Sequence, residues 1–187
     1  SVLSAQGIAV PNGFAITAYA YREALRQPGV ADELHRLLDG LDKNRIRLLA
    51  AAAAKARNVI YEAMDTEPLR GQIVEAYRQF EQASGARVAV AVRSSATAED
   101  LPTASFAGQH ESFLNVRGAK DLFEACRRCF ASIFTDRAIS YRIDNGFDHF
   151  KVALSVAMMK MVRADLAANK VVFTLDTESG FRDVVFV

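Results

Sequence analysis

The sequence predicts a mixed α+β fold, with a helical N-terminal half followed by alternating strands and helices. Residues before position 87 show helical periodicity interrupted by Gly and Pro, whereas a valine-rich apolar run, VAVAV, begins at Val88. Three further apolar runs follow residue 150. Apolar residues at helical spacing favour amphipathic helices, and valine-rich runs favour buried strands. The chain is therefore expected to combine a helical layer with a sheet.

Four helices are predicted in the first half of the chain. Pro11-Asn12-Gly13 predicts a turn ahead of the first helix, for which Thr17 is a suitable N-cap. Asp42 is predicted to cap a long helix rich in alanine, the residue with the highest helix propensity. Gly and Pro end these helices. The predicted ranges are 17–27, 30–38, 42–63 and 67–83.

The second half is predicted to contain five strands and two helices. VAVAV and SFLNV are apolar runs on either side of a long polar segment, and DLFEACRRCFASIF has helical periodicity. The predicted strands are 88–92, 112–116, 151–162, 170–175 and 183–187, and the predicted helices are 119–134 and 136–145.

The composition is typical of an ordinary globular protein. The 187 residues are 51% apolar and 24% charged, with a formal net charge of +1. So small a net charge provides no bulk attraction to nucleic acid or to an anionic membrane. The longest apolar run, near residues 48–54, is far shorter than the roughly 18 residues of a membrane span. We expect neither nucleic acid nor a membrane as a partner.

Cys126 and Cys129 form a single CxxC pair. A structural zinc site needs four ligands, and the sequence has no second pair. Helical periodicity places both thiols on one helix face, where we expect them to pack against a neighbouring element. Unpaired thiols fit a reducing compartment such as the cytoplasm. The three histidines, His35, His110 and His149, are scattered and are expected to be structural or exposed.

The segment VRSSATAEDLPTASFAGQHESFLNV, residues 92–116, contains the first candidate site residues. Arg93 follows the VAVAV run, and ligands bind at the carboxyl ends of strands in open α/β sheets. The guanidinium group offers five donors in a rigid fork that suits phosphate, and Ser94 adds a hydroxyl group beside it. The alternative is an ion pair between Arg93 and Glu99 or Asp100 that shapes the loop.

A turn of small residues, Ala104-Ser105-Phe106-Ala107-Gly108-Gln109, follows in the same segment. Small side chains allow a close approach of the backbone to a ligand, and Gly108 can adopt positive φ. Successive backbone N–H groups in such a turn can hold an anion. The alternative is an ordinary surface loop.

Two later segments offer further candidate residues. The run MMKMV, residues 158–162, could line a pocket for an adenine ring or could fill a core strand. Asp176, Thr177 and Glu178 precede Gly180, and such acids either serve Mg²⁺ or shape a turn.

Three blocks of the sequence resemble the nucleotide-binding domain of the phosphoenolpyruvate synthase (pyruvate, water dikinase) family. The central block is VRSSATAEDLPTASFAGQHESFLNV, the early block is GIAVPNGFAITAYAYR, and the late block is KMVRADLAANKVVFTLDTESGFRDVVFV. They occur in the order typical of that family and cover nearly the whole chain. The resemblance implies an ATP-grasp fold, in which two α+β lobes hold ATP between them.

The resemblance also implies an activity. Members of the family convert ATP, pyruvate and water to phosphoenolpyruvate, AMP and phosphate with Mg²⁺, through a phosphohistidine on a separate domain. Its setting is gluconeogenesis in the cytoplasm, and the full-length enzyme is expected to be a homo-oligomer. Two alternatives are a dikinase similar to rifampin phosphotransferase and a nucleotide-sensing module without catalysis.

The resemblance assigns roles to individual residues. It implies that Arg93 contacts the ATP phosphates and stabilises charge during transfer, and that the turn at 106–109 covers the phosphates as a mobile flap. Residues 160–162 would lie on the adenine side, with backbone groups near the base. The residues implied to bind the nucleotide are Arg93, Ser94, Phe106, Ala107, Gly108, Gln109, Lys160, Met161, Val162, Asp176 and Glu178.

The resemblance is incomplete at both ends, so we expect a partial ATP-binding domain over residues 1–187. A family stretch with a phosphate-binding lysine, and a later stretch with metal-binding Glu and Gln residues, have no counterpart in these residues. Met159 also stands where the family usually has glutamine. We expect residues 1–92 and 150–187 to form one lobe and residues 93–149 to form the second. The chain by itself is expected to bind ATP weakly at best and to be inactive.

Overall fold

The computed structural model describes residues 5–96, 100–101, 104–105, 111–166 and 170–185. Six α-helices and six strands lie within these residues, and the predicted mixed α+β class is confirmed. The helices are α1 (Ala18–Leu25), α2 (Val30–Leu38), α3 (Ile46–Ala63), α4 (Glu67–Ser84), α5 (Ala119–Ala131) and α6 (Asp136–Asp144). The strands are β1 (Gly13–Ile16), β2 (Val90–Ala96), β3 (Asp100–Leu101), β4 (Ala104–Ser105), β5 (Ser112–Val116) and β6 (Leu154–Lys160).

Four strands form one sheet in the order β1-β6-β2-β5, with every neighbouring pair antiparallel. Strand β6 lies at the centre, where Gly13 of β1 and Ala91 of β2 both pair with Met159. Strands β3 and β4 form a separate two-stranded sheet. The chain thus inserts its last strand between its first strand and β2.

The helices cover one face of the four-stranded sheet. Val90, Val92, Val156 and Met158 are fully buried there, together with residues of α3 and α5. Helix α5 packs against both α3 and the central strands. Because side chains alternate along a strand, Ala91, Arg93 and Ser95 of β2 and Ser155, Ala157 and Met159 of β6 point to the opposite side.

The opposite side, which we call the open face, is largely exposed to solvent. Burial alternates along β6, where Ala157 and Met159 are half-buried. In β2, Arg93 and Ser95 are exposed, whereas Ala91 is buried. A sheet with one packed face and one solvated face is usual for antiparallel strands. The open face consists of Gly13, Ala15, Ala91, Arg93, Ser95, Ser112, Leu114, Ser155, Ala157 and Met159.

Strand β5 carries a bulge. Val92 pairs with Phe113, whereas Val90 pairs with Val116, so β5 holds one extra residue between these pairs. Asn115 lies in the bulge with φ of 57°. Asparagine tolerates positive φ better than most residues, and bulges bend a strand locally. The bulge therefore allows Val116 to return to the helix-covered face.

Several predicted boundaries were correct and others were wrong. The ranges 30–38 and 112–116 are confirmed to the residue. The long helix begins at Ile46, because the carboxylate of Asp42 accepts a bond from the Asn44 N–H and forms a turn ahead of the helix. Helix α5 ends at Ala131 and continues as a 3-10 turn, Ser132–Phe134.

The predicted strands 170–175 and 183–187 are absent from the described residues, which extend to Val185. These residues are irregular apart from an isolated bridge at Phe173, and Val171 and Val185 are exposed. Valine-rich composition favours a strand only where a neighbouring strand supplies hydrogen bonds and cover. No pairing of that kind is made by the described part of this segment.

Arg142 is fully buried, and no carboxylate of the described residues pairs with it. Its Nε donates to His149 Nδ1 at 2.9 Å and its Nη2 donates to the Ile133 carbonyl at 2.7 Å. Burial, and then the charge of Arg142, lower the pKa of His149 to about 4. His149 is therefore neutral near pH 7 and can accept this bond, which ties α6 to the segment before β6. His110 lies outside the described residues.

Both cysteines of the CxxC pair are free and buried on α5, so their predicted packing role is confirmed. The Cys126 thiol donates to the Met158 sulfur at 3.8 Å, beneath β6. Within the described residues, no helix has the length and apolar character needed to cross a membrane.

Candidate functional site

Arg93 lies within β2 rather than after it. The expectation that Arg93 follows a strand is therefore wrong, and the rule about carboxyl ends does not apply to this antiparallel sheet. Its position is nevertheless suited to a ligand. Its cross-strand neighbours are Ala157 and Ser112, two small residues that leave its guanidinium group accessible. It makes no ion pair with the described side chains. A salt bridge to Glu99 or Asp100 stays a prediction.

Ser94 points to the helix-covered side, directly behind Arg93. Its hydroxyl group lies beside the Cys129 thiol, and this thiol donates to the Glu111 carbonyl at 3.6 Å. Burial raises the pKa of Cys129 to about 12, with the Ser94 bond acting in the opposite direction. Cys129 is therefore a neutral thiol near pH 7. Ser94 thus supports the strand from the core side, whereas Arg93 faces solvent.

The small-residue turn predicted to cover the phosphates lies outside the described residues. This applies to Phe106, Ala107, Gly108 and Gln109. Glu111 and Ser112, which follow the turn, are described and bring the chain back beside Arg93.

Lys160, Met161 and Val162 leave the sheet at the opposite end of β6. The Lys160 N–H donates to the Asn12 carbonyl at 2.8 Å, and the Met161 N–H donates to the Ala89 carbonyl at 2.9 Å. The Met161 N–H is therefore engaged by the protein itself. Its carbonyl oxygen and the exposed Val162 are the groups left to meet a base.

A cleft of about 640 Å³ lies at this end of the sheet. Its walls include the bulge residue Asn115 and segment 160–163. Arg87, Arg117 and Lys160 also line it, and none of the three forms an ion pair within the described part of the chain. Arg163 is neutralised by Asp165, which it contacts at 2.6 Å. The cleft is cationic, although the net charge of the chain is only +1.

The two groups of candidate residues occupy different positions along one pair of strands. Lys160 pairs with Val90, and Ala157 pairs with Arg93. Three residues of extended strand separate these pairs by about 10 Å. Met159 lies between them on the open face. An elongated anionic ligand can therefore contact both Arg93 and the segment after β6.

Asp176 and Glu178 lie in a turn of their own. The Asp176 carboxylate accepts bonds from the Ser179 hydroxyl and the Glu178 N–H. The Ser179 bond is the main reason that the pKa of Asp176 is lowered. Among the described residues, no three His, Cys, Asp or Glu side chains converge on a common point. The acids described here therefore form no metal site with three protein ligands.

An α+β fold with a solvated, arginine-bearing sheet face is suited to binding an anionic small molecule. Comparison with known families makes this specific: the family described as pyruvate phosphate dikinase, AMP/ATP-binding domain, matches residues 1–187. The chain belongs to this family. Its membership confirms the resemblance stated on the three sequence blocks.

Individual relatives agree with this assignment. The chain is 50% identical over 187 residues to phosphoenolpyruvate synthase of Pseudomonas aeruginosa. This match covers 100% of this chain and 24% of the relative. It is 49% identical over 190 residues to phosphoenolpyruvate synthase of Synechocystis and 50% identical over 185 residues to that of Escherichia coli. Each of these two matches covers 99% of this chain and 23% of the relative. The chain thus spans about a quarter of the length of these curated relatives.

Some residues of the site could not be identified from sequence. Cys129 lies 35 positions after Ser94, and only the packing of α5 under β2 brings the two together. Arg87 and Arg117 flank strands β2 and β5 and meet because these strands are antiparallel. In the sequence, Arg87 directly precedes the predicted strand 88–92 and Arg117 directly follows the predicted strand 112–116, but nothing local showed that these strands pair.

Proposed function

We propose that this chain is the ATP-binding part of an enzyme that converts ATP, pyruvate and water to phosphoenolpyruvate, AMP and phosphate. Family membership and the names of the relatives support this proposal. The observation that carries it is Arg93, an accessible guanidinium group flanked by Ala157 and Ser112 on the open face. An arginine that makes no ion pair with the described side chains and lies among small neighbours suits the phosphates of a nucleotide.

In this proposal ATP lies along the open face. Arg93 binds the phosphates, and the adenine lies near the Met161 carbonyl and Val162. The half-buried Met159 offers an apolar, polarizable contact between them. Phe106, Ala107, Gly108 and Gln109 would cover the phosphates. Phosphoryl transfer depends mainly on positioning and electrostatic stabilisation, so the chief contribution of this chain is to hold and neutralise the phosphates.

The remaining parts of the reaction are proposed for regions beyond these 187 residues. There a histidine would accept the phosphoryl group, and a further domain would bind pyruvate. Mg²⁺ is proposed to accompany ATP, but no step is assigned to it because the described acids form no site with three protein ligands. We also propose an ATP-grasp arrangement with the lobes 1–92 plus 150–187 and 93–149. The boundary at 92/93 falls within β2, so β2 would belong to both lobes.

The biological setting follows from the reaction. Formation of phosphoenolpyruvate from pyruvate supports gluconeogenesis, and we propose a cytoplasmic homo-oligomer for the full-length enzyme. Asp176 and Glu178 are proposed to lie near the nucleotide, with Asp176 acting chiefly through the turn that it organises.

Phosphorus NMR of the reaction tests the proposed function. The protein that carries this chain, purified at full length, is expected to convert ATP and pyruvate to AMP, phosphate and phosphoenolpyruvate in equal amounts. Without pyruvate, phosphoenolpyruvate should not form. Phosphorylation of added rifampin in place of pyruvate would support the antibiotic-modifying alternative. Nucleotide binding without any turnover would support the sensing alternative.

A further inference from the structure

We infer that Cys129 is a positioning residue for Arg93, because its buried thiol joins β2 to the start of β5 directly behind the arginine. This inference rests on the proposed role of Arg93 in binding ATP. It gives Cys129 a role in addition to the core packing described above for both cysteines of the CxxC pair.

The location of the thiol carries the inference. Arg93 pairs with Ser112, so the next positions across the two strands are Ser94 and Glu111. These two residues lie just past Arg93 and Ser112, the last paired residues of β2 and β5. Cys129 of α5 lies against both of them: its thiol donates to the Glu111 carbonyl at 3.6 Å and lies beside the Ser94 hydroxyl. The helix thus continues the connection between β2 and β5 beyond the point where their own pairing ends.

A neutral thiol is the form that can donate to the Glu111 carbonyl. Its sulfur can at the same time accept from a hydroxyl group beside it, and Ser94 supplies one. Cys129 is fully buried, so water does not compete for these bonds. Cys126, one turn earlier on the same face, donates to the Met158 sulfur instead.

Cys129 would affect Arg93 through the position of its backbone. Its side chain has no hydrogen-bonding partner among the described residues, so its position depends on its backbone. On one side β6 holds that backbone, with Arg93 opposite Ala157. On the other side β5 holds it through Ser112, the last residue of that ladder. Removal of the thiol should therefore loosen the backbone of Arg93 on the β5 side, where pairing ends. It would not remove any group that touches the nucleotide.

Two measurements on the 187-residue chain test this inference with Cys129→Ala, Cys129→Ser and Cys126→Ala. The first is amide hydrogen exchange at Ser94, Glu111 and Ser112. The second is the affinity for ATP relative to adenosine, which lacks phosphates. Cys129→Ala should raise exchange at these three amides about fivefold and weaken ATP binding about fivefold, with adenosine binding unchanged. Cys129→Ser, which retains a donor and an acceptor, should recover part of both losses.

Cys126→Ala is the matched control, since it removes an equally buried thiol from the same helix face. It should change neither the exchange at these amides nor the preference for ATP. Equal effects of Cys126→Ala and Cys129→Ala, or unchanged exchange in Cys129→Ala, would overturn the inference. If exchange rises as expected but neither Cys129→Ala nor Arg93→Ala alters ATP binding, the positioning role of Cys129 fails together with the proposed role of Arg93. If Arg93→Ala alone weakens ATP binding, only the inference about Cys129 fails.

Discussion

Replacement of Arg93 by alanine is expected to lower the rate of AMP formation by the full-length enzyme about 100- to 1000-fold. The guanidinium group is the charged side chain at the centre of the open face, and under the proposed function its loss removes a donor to the developing phosphate charge. Because Arg93 is exposed and bonds no described side chain, the substitution should change the free energy of unfolding by less than about 0.5 kcal/mol. The loss would therefore be a catalytic effect.

Two further variants define the interpretation of that result. Arg93→Lys keeps the charge but loses the planar fork, so it should recover only part of the activity. Arg36→Ala removes an exposed arginine on α2 that pairs with Glu33 at 2.7 Å, remote from the open face in the fold, and it should leave activity unchanged. Near-normal AMP formation by Arg93→Ala, measured at saturating and limiting ATP, would refute the role assigned to Arg93.

Gly13→Ala is expected to reduce the free energy of unfolding by about 3 kcal/mol. A Cβ atom on Gly13 would lie 2.1 Å from the Met158 carbonyl oxygen and 3.0 Å from the Met159 Cα. Both contacts are with the backbone of β6, so relief requires β1 to move away from the central strand. Urea unfolding should show a lower midpoint with an unchanged slope.

Gly71→Ala provides a control of opposite sign. Gly71 lies inside α4, and a Cβ atom there would have no neighbour within 4 Å. Alanine in a helix interior is favoured over glycine by about 1 kcal/mol, so this variant should be more stable than the parent. A Gly13→Ala variant as stable as Gly71→Ala would contradict the close approach of β1 to β6.

Elements marked by local signals were predictable from the sequence. Helix α2 lies between Gly29 and Gly40, two glycines with positive φ, and its predicted range is confirmed to the residue. The segment 170–175 has an equally clear valine-rich composition, but it is not a strand among the described residues. The difference is physical: hydrogen bonds within a helix are local, whereas those of a strand depend on a distant partner.

The sequence suggested residue types for the candidate site but not its geometry. The choice of Arg93 followed from its chemistry and from the resemblance of the surrounding block. Its place inside β2 was not predicted, because the polar run Arg-Ser-Ser looks like a loop until one sheet face is known to be solvated. The antiparallel order and the contact of Ser94 with Cys129 depend on tertiary packing that no local pattern encodes.

The most direct test of the nucleotide position uses the four methionines of the chain, Met64, Met158, Met159 and Met161. Met64 and Met158 are buried in the helix-covered core, whereas Met159 lies on the open face and Met161 follows β6. Methyl NMR of the ¹³C-methionine-labelled chain, titrated with ATP to millimolar concentration, separates the two faces and tolerates weak binding. We expect the Met159 and Met161 signals to shift and those of Met64 and Met158 to stay in place. Shifts confined to Met64 and Met158, or no shift of Met159 and Met161 at saturating ATP, would contradict a nucleotide on the open face.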